Sequence, residues 1–303
     1  MQMSRVVTLV GLVLATAVPV PTAVPVPMAE SHNLEIEHGR AAPAAGNSFR
    51  VYNIKPHYQC KPDGPGPHTP GCADKIKPAM KWAIETGAEI LVMNEVEAPK
   101  VPKPDPAHFE GVGFVCVCGS FADPVVAFIN KNTFTIDNSI LADNAYTDGN
   151  LPYFDNINPN DVSKNSCSVP CRPHDTRPGG MIPLTHRLTG KKFCLAIGTF
   201  SHNFDNDPQG VDTSACPDDG EILYVVDSNI NGSGQTISMK KAKQLTNPAR
   251  KCDADPFMNI ETDNGYFYDR IAMCGGGTVT NPSRNATQHW PEGHVMISAD
   301  VTL

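Results

Sequence analysis

The sequence predicts an α/β domain made mostly of short strands, and three observations support this fold class. Short apolar runs recur along the 303-residue chain, many of them followed by polar or turn-forming residues. Only one segment shows clear helical spacing of its apolar residues. The 28 prolines and 24 glycines favour many loops over long helices. Strands interspersed with few helices over 48–303 indicate one α/β or α+β domain.

The elements follow in order along the chain. A strand is predicted over 49–53, a helix over 74–87 from the spacing of Ile76, Met80 and Ala83, and a buried strand over 89–93. Further strands are predicted over 112–118, 124–130, 133–136, 181–184, 193–199, 221–226, 266–273 and 294–303. A long loop covers 143–180, a Thr189-Gly190 turn joins two strands, and 234–250 is a candidate second helix.

The composition excludes several classes of protein. Hydrophobic residues make up 40% of the chain and charged residues 18%, which excludes a disordered polyampholyte, a coiled coil and a collagen-like fibre. The 24 lysines and arginines are outnumbered by 32 aspartates and glutamates, which gives a net charge of -8. A broad basic face that grips nucleic acid by charge alone is therefore not expected, and a phosphate ligand would need local cations or a metal ion.

The first residues have the pattern of a secretory signal peptide. A basic start precedes an apolar run over 6–18, which is closed by prolines and is too short to span a bilayer. An apolar N-terminal strand is the alternative interpretation. We assign 1–28 to a signal peptide, 29–47 to a flexible linker and 48–303 to the folded domain, and we expect a secreted protein without a membrane anchor.

Ten cysteines fit a secreted chain that forms disulfides. Three pairs stand out by their spacing: Cys60 with Cys72, Cys116 with Cys118, and Cys167 with Cys171. The first pair brackets a Pro/Gly-rich loop, the second points to one face of a strand, and the third can close a tight loop. Zinc at the second pair is disfavoured because no further ligands lie nearby in the sequence.

Polar side chains stand repeatedly where apolar runs end or begin. Taken singly, each has an ordinary structural explanation, such as an Asx turn, a surface ion pair or a hydrogen-bonded core histidine. Strand ends along one rim of a sheet can gather into one site, however, and seven such positions favour a functional site. They are Asn53, Glu95, His202, Asp227, Asn229, Asp269 and His294.

Six short segments resemble the endonuclease/exonuclease/phosphatase superfamily, of which deoxyribonuclease I is the archetype. They occur in the family's order and cover roughly 48–303: Arg50-Val-Tyr-Asn53, Ile90–Glu95, Ile197–His202, Val225–Asn229, Tyr268–Ile271 and Glu292–His294. The resemblance implies a deoxyribonuclease I-like α/β fold, a four-layer sandwich of two packed mixed β-sheets flanked by helices. It also implies metal-dependent hydrolysis of phosphate esters.

The resemblance assigns the catalytic roles. Glu95 is expected to bind Mg²⁺ or Mn²⁺, which neutralises charge on the phosphate. His294 is expected to face the scissile phosphate as the base, with Asp269 fixing its tautomer and raising its basicity. Asp227 and Asn229 are expected to orient water and phosphate.

The resemblance also assigns supporting and substrate-binding roles. His202 matches the family's second histidine, an acid or electrostatic clamp, and Asp123 stands where the family places its carboxylate partner. Asn53 is expected to hydrogen-bond the metal-binding carboxylate, and Arg177 to touch the substrate phosphate. Just upstream, the Cys167 to Cys171 loop resembles a small disulfide loop found there in deoxyribonuclease I.

Two positions depart from the family's pattern. The last motif normally reads Ser-Asp-His, whereas this chain has Glu292-Gly293-His294, and Gly293 cannot supply the usual metal-site carboxylate. Glu292 is one residue away and points the other way in an extended chain. Asn94 stands where the family often has Gln.

The sequence therefore predicts a secreted, divalent-metal-dependent phosphodiesterase, an endonuclease with nucleic acid as its substrate. One alternative keeps the site but cleaves phospholipid or sphingomyelin. A second is a catalytically impaired binding protein, which the Gly293 departure favours. The acidic segment Asp205 to Asp219 is either a solvated loop or a structural Ca²⁺ site, and the lack of an Asp-x-Asp-x-Asp-Gly register favours the loop. No segment indicates a protein partner.

Overall fold

A computed structural model gives the architecture of the folded domain. The structure describes residues 46–55, 72–95, 103–118, 121–148, 151, 166–167, 177–200, 220–229, 255–263, 265–285 and 294–303. All of them belong to the compact unit Gly39–Leu303. The predicted signal peptide, most of the predicted linker and the candidate helix at 234–250 lie outside the described residues. Among those described, no helix is both long and apolar enough to cross a membrane.

One sheet has seven strands. In chain order they are β1 (Ser48–Ile54), β2 (Ala88–Met93), β3 (Phe109–Cys118), β4 (Phe121–Asn130), β6 (Tyr146–Thr147), β11 (Thr278–Asn285) and β12 (Met296–Thr302). Their order in space is β11-β12-β1-β2-β4-β3-β6. β1 and β2 are parallel, and the other neighbours are antiparallel.

The second sheet has five strands. They are β5 (Phe134–Ile136), β7 (Gly179–His186), β8 (Lys192–Thr199), β9 (Glu221–Asp227) and β10 (Asp269–Cys274), in the order β10-β9-β8-β7-β5. β8 and β9 are parallel, and the other neighbours are antiparallel. The predicted class, two mixed sheets packed in an α/β domain, is confirmed.

The main core lies between the two sheets. Alternate residues of each strand point inward, so Val51 and Val92 of one sheet share an apolar cluster with Leu195 and Ile271 of the other. Aromatic rings fill one end of this layer, where the ring of Phe49 lies 4.9 Å from that of Phe134 in an edge-to-face contact.

The single α-helix of the described part, α1 (Cys72–Glu85), covers the outer face of the seven-stranded sheet. Its apolar residues Ile76, Met80 and Ala83 recur at helical spacing and are all buried there. The helix ends before Gly87, which has a φ of 93° that a glycine adopts without strain.

β11 was not predicted, and its sequence explains why. Its residues alternate poorly between apolar and polar, and Pro282 lies inside it. Proline is tolerated because β11 is at the edge of the sheet, where a missing N–H breaks no inner hydrogen bond. The register shifts between Thr280 and Ser283, and Asn281 has a positive φ of 50° in this bulge.

The cysteine pairing corrects one sequence-based expectation. Cys167 is bonded to Cys116 of β3, so the predicted Cys167–Cys171 loop is wrong. The segment around Cys167 lies beside β3, where the Ser166 N–H donates to the carbonyl of Val115 at 2.7 Å. Tertiary packing therefore supplies a partner 51 residues away. Cys194 and Cys274 are also disulfide-bonded, whereas Cys60 lies outside the described residues.

A buried ion pair anchors the start of β10. Arg270 is fully buried, and its Nη1 lies 3.2 Å from Oδ2 of Asp255, whose side chain is equally inaccessible. Asp255 also accepts a hydrogen bond of 3.2 Å from the N–H of Phe257, at the start of a short 3₁₀ helix (Pro256–Asn259). Burial lowers the pKa of Arg270 relative to its ordinary value, and the Asp255 carboxylate opposes that effect.

We predict that Asp255→Ala destabilises the fold by about 3–5 kcal/mol, because it leaves the buried guanidinium without its counter-charge. Urea unfolding measures the change. The control is Glu85→Ala, which removes an exposed ion pair with Lys81 of 3.6 Å and should cost less than about 0.5 kcal/mol. Equal effects of the two substitutions would contradict the prediction.

Candidate active site

The two sheets bring their polar strand ends to one place. β1 and β2 are parallel and therefore end at the same edge, where Asn53 pairs with Val92. β12 starts at that edge, since Asn53 also pairs with Ile297. In the other sheet, the end of β9 lies beside the start of β10, with Asp227 opposite Asp269. Side-chain contacts across these edges join the two sheets into one site.

Lys55 is at the centre of these contacts. It follows β1 directly, and its Nζ donates a short hydrogen bond to Oδ2 of Asp227 in the other sheet. The same Nζ lies 3.5 Å from Oε1 of Glu95 and 3.2 Å from Nε2 of His294. All four side chains are buried. One ammonium group therefore contacts two carboxylates and an imidazole drawn from both sheets.

His294 and Asp269 form a second buried pair in the same cluster. Nδ1 of His294 makes a short hydrogen bond to Oδ2 of Asp269. The carboxylate assigns the proton to Nδ1, so Nε2 accepts a hydrogen bond from Lys55. Nε2 also lies 3.7 Å from Oδ2 of Asp263. The ring is thus held through Nδ1, with Nε2 directed toward the cluster.

The pKa values reflect burial opposed by close charges. Burial alone would lower the pKa of Lys55, but the carboxylates of Asp227, Glu95 and Asp269 raise it above its ordinary value. Burial would raise the pKa of Asp227, whereas Lys55 and His294 lower it to about 2. Lys55 and Asp227 are therefore both charged at neutral pH.

The His294–Asp269 pair is balanced differently. Burial lowers the pKa of His294, Asp269 raises it, and the net result lies above the ordinary histidine value. Burial raises the pKa of Asp269 above its ordinary value, although His294 opposes this. The net effect makes the imidazole of His294 a stronger base than that of an ordinary histidine.

Two asparagines hold the strand ends in place. The Asn53 amide donates to the carbonyl of Val226 at 3.3 Å, across the two sheets, and its Oδ1 accepts a bond of 2.8 Å from Asn94. Asn94, and not the predicted Glu95, is thus its partner after β2. The Asn229 N–H donates to Oδ1 of Asp227 at 3.0 Å, which fixes that carboxylate from the side away from Lys55.

Backbone strain is concentrated at the same strand ends. Glu95 and Asn229 have positive φ values of 51° and 49°, and both are buried. Such conformations cost about 1–3 kcal/mol each for residues other than glycine and persist where packing determines them. Asparagine tolerates this region better than glutamate does. The conformation turns the Glu95 side chain toward Lys55 immediately after β2 ends.

An aromatic stack continues outward from His294. The His294 ring stacks on Tyr268 with centroids 5.7 Å apart, and Tyr268 stacks on Tyr266 at 5.0 Å with nearly parallel planes. Tyr266 is 40% exposed, so the stack reaches solvent. The N–H and hydroxyl of Ser228 both donate to the Tyr268 carbonyl, at 2.8 and 2.7 Å, and fix this segment against the end of β9.

The donor set does not fit the divalent metal that the sequence predicted at Glu95. Mg²⁺ requires several oxygen ligands at about 2.1 Å. Lys55 Nζ already lies between Glu95 and Asp227, and a second cation at that position would be repelled by the ammonium group. Over the residues that the structure describes, no group of three or more His, Cys, Asp or Glu side chains is arranged to hold a metal ion.

Of the remaining predicted site residues, the structure describes two. Asp123 is buried in β4 opposite Cys116, and Arg177 is partly buried just before β7. His202, the predicted partner of Asp123, and Gly293 lie outside the described residues, as does the acidic segment 205–219. The roles predicted for these residues stay predictions.

Lys55, Tyr266 and Tyr268 are site residues that the sequence analysis missed. A signal for Lys55 was present, because alternation along a strand places it on the same side as Asn53, two residues earlier. Thr262 was also missed. Its Oγ1 accepts a hydrogen bond of 3.1 Å from the N–H of Asp269. Its carbonyl accepts one of 2.8 Å from the N–H of Val295, the residue after His294, so Thr262 aligns both halves of the His294–Asp269 pair.

Two solved structures are similar to this chain in fold. The human Nocturnin catalytic domain with bound sulfate anion has a TM-score of 0.52 at 11% identity, over 84% of this chain and 94% of that one. An endonuclease/exonuclease/phosphatase from Bacteroides vulgatus has a TM-score of 0.52 at 13% identity, over 85% of this chain and 100% of that one. No family model matches the sequence, and no curated protein matches it. The chain has the endonuclease/exonuclease/phosphatase fold, as its motifs predicted.

We predict that Asp227 makes the fold sensitive to acid. Its pKa falls from an ordinary 3.8 to about 2 in the folded protein, so its ionised form stabilises the fold above pH 4 or so. This contribution, about 2 kcal/mol, is lost as the pH falls through about 2. The free energy of unfolding, measured with urea at pH 5 and at pH 2, should fall in both proteins. The fall should be about 2 kcal/mol smaller for Asp227→Asn than for the wild type. Identical losses would show that the carboxylate is not held ionised.

Proposed function

We propose that this protein is a secreted phosphate-ester hydrolase that cleaves nucleic acid. The observation that carries the proposal is the buried His294–Asp269 pair, with Nε2 of the histidine 3.2 Å from the ammonium group of Lys55. A base and a cation this close can contact one phosphate group together. Secretion is supported by the signal-peptide pattern and by the Cys116–Cys167 bridge, which suits an oxidising compartment.

The geometry supports hydrolysis by activated water. Asp269 holds the proton on Nδ1 of His294, so Nε2 is the basic atom. Nε2 takes one proton from a water molecule, whose oxygen forms a bond to phosphorus as the bond to the leaving oxygen breaks. The leaving oxygen takes a proton from solvent. His294 then releases to solvent the proton that Nε2 took from water. The Mg²⁺ or Mn²⁺ expected from the sequence has no part in this proposal, because the donor set does not fit it.

The aromatic stack favours nucleic acid over a lipid head group as the substrate. Tyr266 is exposed and is stacked on Tyr268, which is stacked on His294. A flat aromatic surface beside the reacting phosphate suits a nucleobase, because every base has a face that can stack on it. With a net charge of -8, the chain has to hold a polyanion through local contacts of this kind.

We predict that His294→Ala lowers turnover by a factor of about 10² to 10⁴ in a plasmid-nicking assay, because the general base is lost. Asp269→Asn should also lower turnover, since an amide no longer holds the proton on Nδ1. The control is His108→Ala, whose side chain is 61% exposed and which should nick like the wild type. Circular dichroism checks the fold of each variant. A folded His294→Ala protein with full activity would overturn the proposal.

We predict that Tyr266→Ala raises the KM for a single-stranded oligonucleotide with little change in kcat. Loss of one base stack costs about 1–3 kcal/mol, which corresponds to about 5- to 150-fold. An oligonucleotide that is abasic at the stacked position should show no such difference between variant and wild type. Leu188→Ala, at a site 74% exposed in the turn after β7, is the control. Faster cleavage of sphingomyelin than of DNA by the wild type would instead favour the lipid substrate.

A further inference from the structure

Two carboxylates contact the ammonium group of Lys55, and a third lies close enough to act on its charge. The ammonium group is bonded to Asp227, lies 3.5 Å from Glu95 and interacts electrostatically with Asp269. Lys55 is the cation that lies within 4.0 Å of both Glu95 and Asp227 in the described part of the chain. Burial of so many negative charges requires a cation, and Lys55 provides it through a covalent tether.

The position of the ammonium group matters as much as its charge. Nζ lies between Glu95, which follows β2, and Asp227, the last residue of β9. The ammonium group is therefore placed where carboxylates from the two sheets converge. A divalent ion would need the same carboxylate oxygens at shorter distances, about 2.1 Å for Mg²⁺. Lys55 and a metal ion therefore compete for one volume and for one set of oxygens.

We propose that Lys55 is a catalytic residue that takes the place of a divalent metal ion, so that the ammonium group and a metal exclude each other at Glu95 and Asp227. The part of this inference that concerns catalysis rests on the proposed phosphate-ester hydrolysis. The part that concerns exclusion of metal rests on the geometry alone.

The donor capacity of Lys55 suits this role. An ammonium group has three N–H donors, and Asp227 accepts one of them. A second is directed at Nε2 of His294, which must give up this hydrogen bond before it can accept a proton from water. When a phosphate binds, one of its non-bridging oxygens replaces Nε2 as the acceptor. The cation then faces the developing negative charge, and the imidazole is free to act as the base.

Mn²⁺ binding, followed by the electron paramagnetic resonance signal of the free ion, tests the exclusion. The wild type and Lys81→Gln, a control on the exposed face of α1, should hold no Mn²⁺ that depends on Glu95. Lys55→Gln should bind about one equivalent of Mn²⁺, with an affinity at least about 10-fold higher than that of the wild type. Adding Glu95→Gln to Lys55→Gln should abolish that gain, which separates this site from Mn²⁺ bound elsewhere.

Two results would overturn the proposal. One is a wild-type Mn²⁺ site that Glu95→Gln removes, since the metal and Lys55 would then coexist. The other is a folded Lys55→Gln protein, by circular dichroism, that gains no Mn²⁺ affinity. If Lys55→Gln does not fold, the comparison of the wild type with Glu95→Gln still decides the question.

Activity tests the catalytic half separately. Wild-type turnover should persist in excess EDTA, and Lys55→Gln should lose at least about 10²-fold in turnover when EDTA is present. Wild-type turnover that stops in EDTA and returns with Mg²⁺ would overturn the replacement of the metal. A wild type that hydrolyses no phosphate ester under any condition would instead overturn the proposed function, and the Mn²⁺ measurements would still test the exclusion.

Discussion

The ion pair between Lys55 and Asp227 is the interaction on which the site depends. It joins the end of β1 in one sheet to the end of β9 in the other, and both groups are buried. Neither charge would be tolerated alone in that position, because desolvation of an unpaired ion costs several kcal/mol. Closing the sheets over these strand ends is therefore several kcal/mol less favourable when one partner is missing. Glu95, His294 and Asp269 then complete the cluster around the pair.

This constraint also pre-organises the site for the proposed chemistry. Asp227 is held by Lys55 on one oxygen and by the Asn229 N–H on the other. His294 is held by Asp269 through Nδ1, which leaves Nε2 as the only ring nitrogen available for proton transfer. Side chains that are fixed by such bonds before substrate arrives need little reorganisation during the reaction. The positive φ values of Glu95 and Asn229 are part of the cost of this arrangement.

The core between the sheets supplies the rigidity that the cluster requires. Close packing of residues such as Val51, Leu195 and Ile271 fixes the distance between the sheets, and hence the distance that Lys55 must span. The buried Arg270–Asp255 pair fixes β10, whose first residue is Asp269. Stability and site geometry are thus determined by the same strands, and a shift of either sheet would separate Lys55 from its partners.

The sequence by itself determined the fold class, most strands and one half of the site. Apolar runs of the right length located β1, β2, β9 and β10 because burial on both faces leaves a strong local signal. The polar residues at the ends or starts of apolar runs included Asp227, Asp269 and His294. The edge strand β11 was missed because an exposed edge places few demands on its residues.

Only the tertiary structure decided which charges meet. Cys116 pairs with Cys167, and Asn53 with Asn94, through contacts that spacing along the chain does not encode. Lys55 is the clearest case. In the sequence it is one lysine after a strand, and its alternation with Asn53 is the one local signal that distinguishes it from a solvated lysine. Its position follows from the closing of two sheets, which buries its ammonium group between carboxylates from distant segments.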